Sequence, residues 1–380
     1  MGVSSTSEFP SSSLPPCASS SDAAALRTYV TTYANHSTQS FYQNRVYVST
    51  FAGQTCTFGQ GSVASGWSSQ FTSALTGTNA VYLVPSFFVD PSTFNTYNGI
   101  MDGALNWDSA WPVSLTASSG LPSSLSLTVS DSVAAAMSGL ATDANYINGL
   151  NTMFNSASKS YLPTVSPWFF THYGANSYNK NWMYYGDQHM YARRWQALVE
   201  SRDKFDVIDV ISWNDYGESS YIGPIEGEGA QPNSQAWVDG FDHTAWLYMT
   251  SYFSKAIKAG VWPTVTQDKI CMWSRPHPRD ASTSDSVGRP TNYQLTADAV
   301  WAVVFAKSAG TVTLKTSDSN SQTFAVVAGM NKLSIAISAG GTMYAKLVRD
   351  GQTVVELSPS FTFNGSPSSY NYNAFAASSS

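Results

Sequence analysis

Apolar and polar positions divide this chain into two regimes. Up to about residue 280, continuous apolar runs rich in β-branched and aromatic residues recur: Val46–Phe51, Ala80–Phe88, Pro163–Phe170, Val207–Trp213 and Lys269–Trp273. Unbroken rather than alternating runs are the pattern of strands buried on both faces. Helical spacing lies between them, over Met190–Arg202 and Gln235–Ala259, and Ser21-Asp22 caps a helix through about Tyr33. Strand followed by helix, repeated, predicts a parallel sheet covered by helices. Each run ends in Gly, Pro, Asp, His or aromatic residues. Clusters of that kind at successive strand ends favour a (β/α) barrel over a doubly wound sheet, because barrels collect their sites at that face.

Beyond residue 280 the period shortens. Alternating runs follow at Val300–Ala306, Thr311–Thr316, Thr323–Val327, Lys332–Ile337, Met343–Val348 and Thr353–Leu357, with the hairpin signal Asp350-Gly351 between the last two. The expected organisation is an irregular Ser/Pro-rich segment over 1–22, an α/β barrel domain over 23–280, a linker over 281–293 and an all-β, sandwich-like domain over 294–380. Only Trp301 of the 12 tryptophans falls in the last of these, which favours a structural role for it.

Composition narrows the partners. Charged residues are 12% of the 380, about half the usual share, while aromatics reach 14%. The net charge of −6 comes without a basic stripe to neutralise phosphates, which excludes nucleic acid and suits a neutral substrate. No apolar segment approaches 18 residues, so no membrane helix is expected, and the N-terminus lacks the basic region and apolar core of a signal peptide. The cysteines Cys17, Cys56 and Cys271 show no CxxC spacing and no HxxxH accompanies them, so no metal site is expected. Cys17 and Cys56 pair if the protein is exported; otherwise all three are buried thiols, and the sequence leaves both readings open. Gly59-Gln60-Gly61-Ser62-Val63-Ala64 imitates a dinucleotide fingerprint without the later acidic residue, so no cofactor is expected. The chain reads as a monomer. Sequons occur at Asn35-His36-Ser37 and Asn364-Gly365-Ser366.

The densest chemistry follows the run Ile208–Ile211: Ser212-Trp213-Asn214-Asp215-Tyr216-Gly217-Glu218, then Tyr221-Ile222-Gly223-Pro224. An isolated pair of acids three residues apart is usually a solvated loop. At a strand end and among aromatics, Asp215 and Glu218 suit acid–base cleavage of a glycosidic bond. Trp213, Tyr216 and Tyr221 are walls for a pyranose ring, Asn214 a hydroxyl ligand, and Gly217 the residue that permits a tight path. Other strand ends supply Trp107, Asp108 and Trp111; Trp168, His172 and Tyr173; and Trp273, Arg275 and His277 as substrate-binding candidates. Asp187 and Arg194 read as a structural pair. Trp195, Trp237 and Trp246 read as core.

Trp213–Glu218 with Tyr221–Pro224 closely resembles the signature of the fungal α-1,3-glucanases, or mutanases, family 71 of the glycoside hydrolases. Val48-Ser49-Thr50-Phe51, Pro85-Ser86-Phe87-Phe88, Asn106–Pro112, Ser166–Tyr173 and Trp273–Pro278 agree in order, and the resemblance covers roughly residues 10–365. It implies a (β/α)8 barrel hydrolysing α-1,3-glucan internally with inversion, outside the cell or in its wall. Asp215 and Glu218 match the family's catalytic carboxylates, with Glu218 expected as acid and Asp215 as base. Two departures stand out. The family's barrel begins with two more strands than precede Val46 here, so an incomplete barrel is expected, open between the Val46 and Lys269 strands. Ser220 also stands where the family usually has His. A glucan-binding protein without hydrolysis, or a glycosidase of another linkage, are the alternative functions.

Overall fold

The first helix starts where its cap lies. Ser19 donates from both its backbone N–H and its hydroxyl to Asp22 Oδ2, at 2.9 and 2.8 Å, closing the turn that opens helix Ser20–Tyr33. The computed structural model describes residues 17–118, 140–154, 159–231 and 233–380. They fall into two compact units, the first drawn from Met1–Ala110, Gly139–Thr164 and Ser201–Asp209, the second from Trp111–Ser138, Val165–Glu200 and Val210–Ser380.

In the first unit a two-residue turn, with Gln43 and Asn44 at positive φ, joins β1 (Phe41–Tyr42) to β2 (Arg45–Val48) in an antiparallel hairpin. β2 pairs in parallel with β3 (Val81–Leu83). β4 (Gly103–Asn106) follows beside β3 through Leu105 N–H to Pro85 O, 3.0 Å, and pairs in parallel with β5 (Ser160–Val165). A methyl on Gly103 would stand 2.1 Å from the Ser160 carbonyl oxygen, so only glycine admits that strand contact. Alternate residues feed two apolar clusters. Val46, Val81, Leu83, Ala104 and Tyr161 join Ala23 and Val30 of the first helix and Leu150 of helix Leu140–Phe154. Tyr47, Tyr82, Val84, Leu105 and Leu162 form the other. Burial of both strand faces is why these segments read as continuous apolar runs. A disulfide, Cys17–Cys56, ties the start of the first helix to the loop after β2.

The second unit departs more from expectation. The run Pro163–Phe170 does not form one strand: it breaks at Ser166-Pro167, and β6 (Phe170–His172) instead forms an antiparallel hairpin with β7 (Asn181–Met183). The run Val207–Trp213 contracts to a two-residue strand, β8 (Asp209–Val210). Helix Met190–Glu200 forms as expected, but Gln235–Ala259 splits into Gln235–Val238 and Ala245–Ala259. The break coincides with Gly240 at φ +83°, and the carboxylate of Asp242 accepts the Thr244 N–H at 2.8 Å near the second start.

β9 (Lys269–Ser274) was expected as the last parallel barrel strand, and that expectation is corrected. It lies antiparallel between β10 (Ala299–Ala306) and a C-terminal strand of Phe375–Ser378. The six expected C-terminal strands are all present: β10, β11 (Gly310–Ser317), β12 (Asn320–Val326), β13 (Gly329–Ala336), β14 (Tyr344–Arg349) and β15 (Gln352–Leu357), with β16 being Phe375–Ser378. Asp350 and Gly351 both have positive φ, as a two-residue hairpin turn requires. The sheets run β13-β10-β9-β16 and β12-β11-β14-β15. Ile270 and Met272 of β9 share an apolar cluster with Val300, Val304, Val312, Leu314 and Leu347. The boundary expected near residue 280 therefore does not divide the sheet; β9 and β10 are hydrogen-bonded across the irregular segment 281–293.

Candidate active site

The segment after β8 folds back on itself. Ser212 donates its N–H to Ser220 O, and Ile222 N–H returns to Ser212 O, both at 2.9 Å. Gly223 N–H reaches Trp213 O, also 2.9 Å. The Ser212 hydroxyl accepts the Asp215 N–H at 2.8 Å, and Asp215 Oδ1 accepts the Glu218 N–H at 3.2 Å. The two carboxylates thus sit on one turn, the first fixing the backbone of the second. The turn is docked on β6, because Phe170 N–H donates to the Glu218 carbonyl at 2.9 Å. Its left-handed residue is Ser219, φ +57°, rather than Gly217.

Asp215 is buried, with 8% exposure. Glu218 lies partly open, its Oε1 3.5 Å from Lys180 Nζ. Lys180 comes from the start of β7, thirty-eight residues back in sequence, and nothing in local spacing marks it. Trp213 is the exposed aromatic of the loop, at 53%. Its indole lies over Gly223, where a methyl would stand 2.8 Å from the ring and 2.6 Å from the Trp213 carbonyl. Tyr216 and Tyr221 are buried, 5.1 Å apart, and their hydroxyls donate to Pro224 O and Phe241 O. They support the loop from beneath rather than offering a ring face. Tyr221 stacks on His243 at 3.9 Å, and the two ring nitrogens of His243 lie 2.9 Å from the carbonyls of Tyr221 and Ala374, to one of which a neutral ring donates. Asn214 is exposed on the same turn.

Several expected substrate ligands turn out to be spent on the protein. His172 is buried, with Nδ1 2.8 Å from Asn181 Oδ1 and Nε2 2.9 Å from Asp285 Oδ2. Burial opposes the charge of Asp285. The Ser369 hydroxyl, the Val287 N–H, His172 and the Tyr370 N–H outweigh it, and together hold the carboxyl down at about 2. Tyr173 is packed edge-on to Trp237 at 4.9 Å. His277 accepts the Asn371 N–H at Nε2, 3.0 Å, so its proton sits on Nδ1, which donates to Pro278 O at 2.8 Å. Burial pushes that imidazole down, against the pull of Pro278 O, consistent with a neutral ring. Arg275 is buried over the Trp168 ring at 4.5 Å and ion-paired with the fully buried Asp187 at 2.6 Å. Trp111 and Trp168 donate their indole N–H groups to Trp168 O and Tyr372 O. Trp273 packs 6.0 Å from Trp246 inside the core. The histidines have both nitrogens engaged and the tryptophans no exposed face, which leaves them little for a ligand; Arg275 spends Nη1 on Asp187 while Nε and Nη2 are buried without a hydrogen-bond partner.

Trp107 and Asp108 belong to the first unit. Trp107 directly follows β4 and meets Phe51 edge-to-face at 4.7 Å; Phe51 meets Phe88 at 5.1 Å. Asp108, beside them, is half-buried, and burial pushes its carboxyl above the usual range. Among the described residues no group of three or more His, Cys, Asp or Glu is arranged to hold a metal ion, and no helix is long and apolar enough to cross a membrane.

Comparison with known proteins gives the family. Residues 13–380 match the model of Glycosyl hydrolase family 71. A glucan endo-1,3-alpha-glucosidase of Schizosaccharomyces pombe is 34% identical over 361 residues, 94% of this chain and 76% of its own length. An ascus wall endo-1,3-alpha-glucanase of the same yeast is 30% identical, over 88% of this chain and 73% of its own. A Penicillium rubens mutanase is 27% identical, over 94% and 72%. Among solved structures, a GH99 endo-alpha-mannosidase from Bacteroides thetaiotaomicron aligns with a TM-score of 0.40 at 13% identity, covering 64% of this chain and 63% of that one.

Proposed function

Since the chain belongs to glycosyl hydrolase family 71, we propose that it cleaves internal linkages of α-1,3-glucan with inversion, using Asp215 and Glu218. The observation that carries this reading is the single turn bearing both carboxylates, cross-braced from Asp215 Oδ1 to the Glu218 N–H and flanked by the exposed indole of Trp213. Inversion needs one carboxyl to protonate the leaving oxygen while the other draws a proton from water on the opposite face. In this reading Glu218 is the acid. As its proton departs, the Lys180 ammonium at 3.5 Å stabilises the carboxylate that forms. Asp215 is the base. The linkage comes from the relatives, two of which are α-1,3-glucanases by name. The parallel order β2, β3, β4, β5, with aromatic or polar residues after successive strands, supports a (β/α) barrel as the frame. The Cys17–Cys56 disulfide supports export, since such bonds persist in oxidising compartments.

The test is hydrolysis of α-1,3-glucan by the full chain, with the anomer of the first product read by NMR. Asp215→Asn and Glu218→Gln keep shape and remove ionisation. Each should lower turnover by about three orders of magnitude or more while glucan binding persists. Hydrolysis that survives loss of either carboxylate would sink the mechanism. Retention of configuration would replace inversion by a covalent route. Glucan binding without any hydrolysis by the unsubstituted chain would leave the non-catalytic alternative.

A further inference from the structure

Three of the first unit's parallel strands are followed by an aromatic side chain, two of them exposed and the third, that of Trp107, partly buried against the cluster of Tyr47, Tyr82 and Leu105. Phe51 follows β2, Phe88 follows β3 and Trp107 follows β4. Phe51 and Phe88 are 45% and 38% exposed, although large apolar side chains nearby are almost all buried. Neighbouring Phe87 shows the contrast: it turns inward against Trp67 at 5.6 Å and is 2% exposed. The three rings touch in series, Phe88 to Phe51 at 5.1 Å and Phe51 to Trp107 at 4.7 Å, with interplanar angles near 70°.

Their backbones are held firmly. Ser86 N–H donates to Thr50 O at 2.7 Å and Ala52 N–H to Ser86 O at 3.0 Å, so the segments after β2 and β3 run side by side through Phe51. The turn carrying Trp107 is fixed by hydroxyls: Thr164 Oγ1 donates to Asn106 O at 2.7 Å, and Ser109 Oγ to the same oxygen at 2.8 Å. Two exposed rings, backed by a partly buried indole at the carboxyl ends of parallel strands, are costly in water, and they lie where such sheets place their ligands. Asp108 follows Trp107 on the same turn, and its half-buried carboxyl is pushed above the usual range by burial.

We infer that Phe51, Phe88 and Trp107, with the carboxylate of Asp108, form a sugar-binding platform for successive glucosyl units of a glucan chain. The rings offer their electron-rich faces to the C–H side of a pyranose. Asp108 accepts from the hydroxyls at its rim. A neutral ligand fits a patch whose one charged group is half-enclosed. The inference rests on the reading that the chain acts on a glucan, and it assigns Phe51 and Phe88, which carry no chemistry of their own, to substrate binding.

The test uses the full chain and its Phe51→Ala, Phe88→Ala and double variants. These rings are exposed, so the thermal midpoint should not move, which separates a binding loss from unfolding. Asp108→Asn tests the polar rim. Binding is read by affinity electrophoresis in gels containing α-1,3-, α-1,4- or β-1,3-glucan, and KM and kcat are measured on α-1,3-glucan. Each Phe→Ala change should weaken α-1,3-glucan binding and raise KM about tenfold, equivalent to ~1.4 kcal/mol, with kcat little changed. If another glucan is bound instead, with the same losses, the platform stands and the linkage reading falls. If α-1,3-glucan is bound and hydrolysed with no effect of the double variant, the platform is overturned and the catalytic reading stands. If the unsubstituted chain binds none of the three, both are overturned.

Discussion

At the scale of single residues, Lys180 gives a way to tell apart the roles proposed for the two carboxylates. Its ammonium lies 3.5 Å from Glu218 Oε1, and removing it leaves Glu218 easier to protonate whatever its role. The limb of the pH–rate profile that moves therefore identifies that role. With Glu218 as acid, Lys180→Met should shift the basic limb of kcat/KM to higher pH and leave the acidic limb in place. Movement of the acidic limb instead would exchange Glu218 and Asp215. The residues that resembled ligands in sequence divide by their polar atoms. Trp213 keeps an open ring. His172 and His277 have both nitrogens engaged by the protein, and Arg275 is buried against Trp168 and Asp187. A strand-end position is visible in a sequence; whether the side chain has already been claimed is not.

At the scale of elements, what mattered was which neighbour each strand found. Buried parallel strands and buried antiparallel strands both read as apolar runs, so β9 looked like a barrel strand until β10 and β16 were seen to flank it in the opposite sense. The C-terminal strands were legible because alternation and a turn such as Asp350-Gly351 are local signals. β4 escaped notice, being four residues long and beginning with Gly103. The first helix and the loop after β2 are joined by the Cys17–Cys56 bond across 39 positions. Closing a loop of that length contributes about 3–4 kcal/mol by restricting the unfolded chain. A Cys17→Ala/Cys56→Ala variant should melt several degrees lower than the oxidised protein, and reductant should lower the melting of the unsubstituted chain but not of the variant. An unchanged midpoint would show that the bond contributes nothing to the first unit.

At the scale of the whole molecule, groups that the fold holds below their ordinary titration range set the response to acid, His243, His189 and Asp285 foremost. Burial pushes His243 down to about 4, against the pull of the Tyr221 and Ala374 carbonyls, and Asp285 is held at about 2. Both values lie below those of the unfolded chain, so the unfolded state binds more protons as pH falls and gains on the native state. The contribution of His243 is complete above about pH 6.5 and is lost toward pH 4, a change of about 3 kcal/mol. That of Asp285 is complete above about pH 4 and is lost toward pH 2, about 2 kcal/mol more. The thermal midpoint should therefore fall from about pH 6.5 downward, with His189, which burial pushes down to about 3, adding to the loss, and Asp285→Asn should lessen the part below about pH 4. A midpoint constant from pH 7 to 4 would mean that His243 is not held neutral. The loss between about pH 6.5 and 4 also reaches the turn that carries Asp215 and Glu218, because His243 stacks on Tyr221 at its exit.

The sequence by itself determined the family, the C-terminal strands, the first helix and the loop that carries Asp215 and Glu218, because each rests on neighbours within a few residues or on motifs that survive in order. The tertiary structure alone decided that Lys180 stands beside Glu218, that Asp285 restrains His172, that β9 runs antiparallel, that Cys17 is bonded to Cys56, and that Phe51 and Phe88 stay exposed, with Phe51 against Trp107. Each of these joins positions far apart in the chain. Their partners are chosen by burial and by the directions of backbone hydrogen bonds, which exist only once the strands have met.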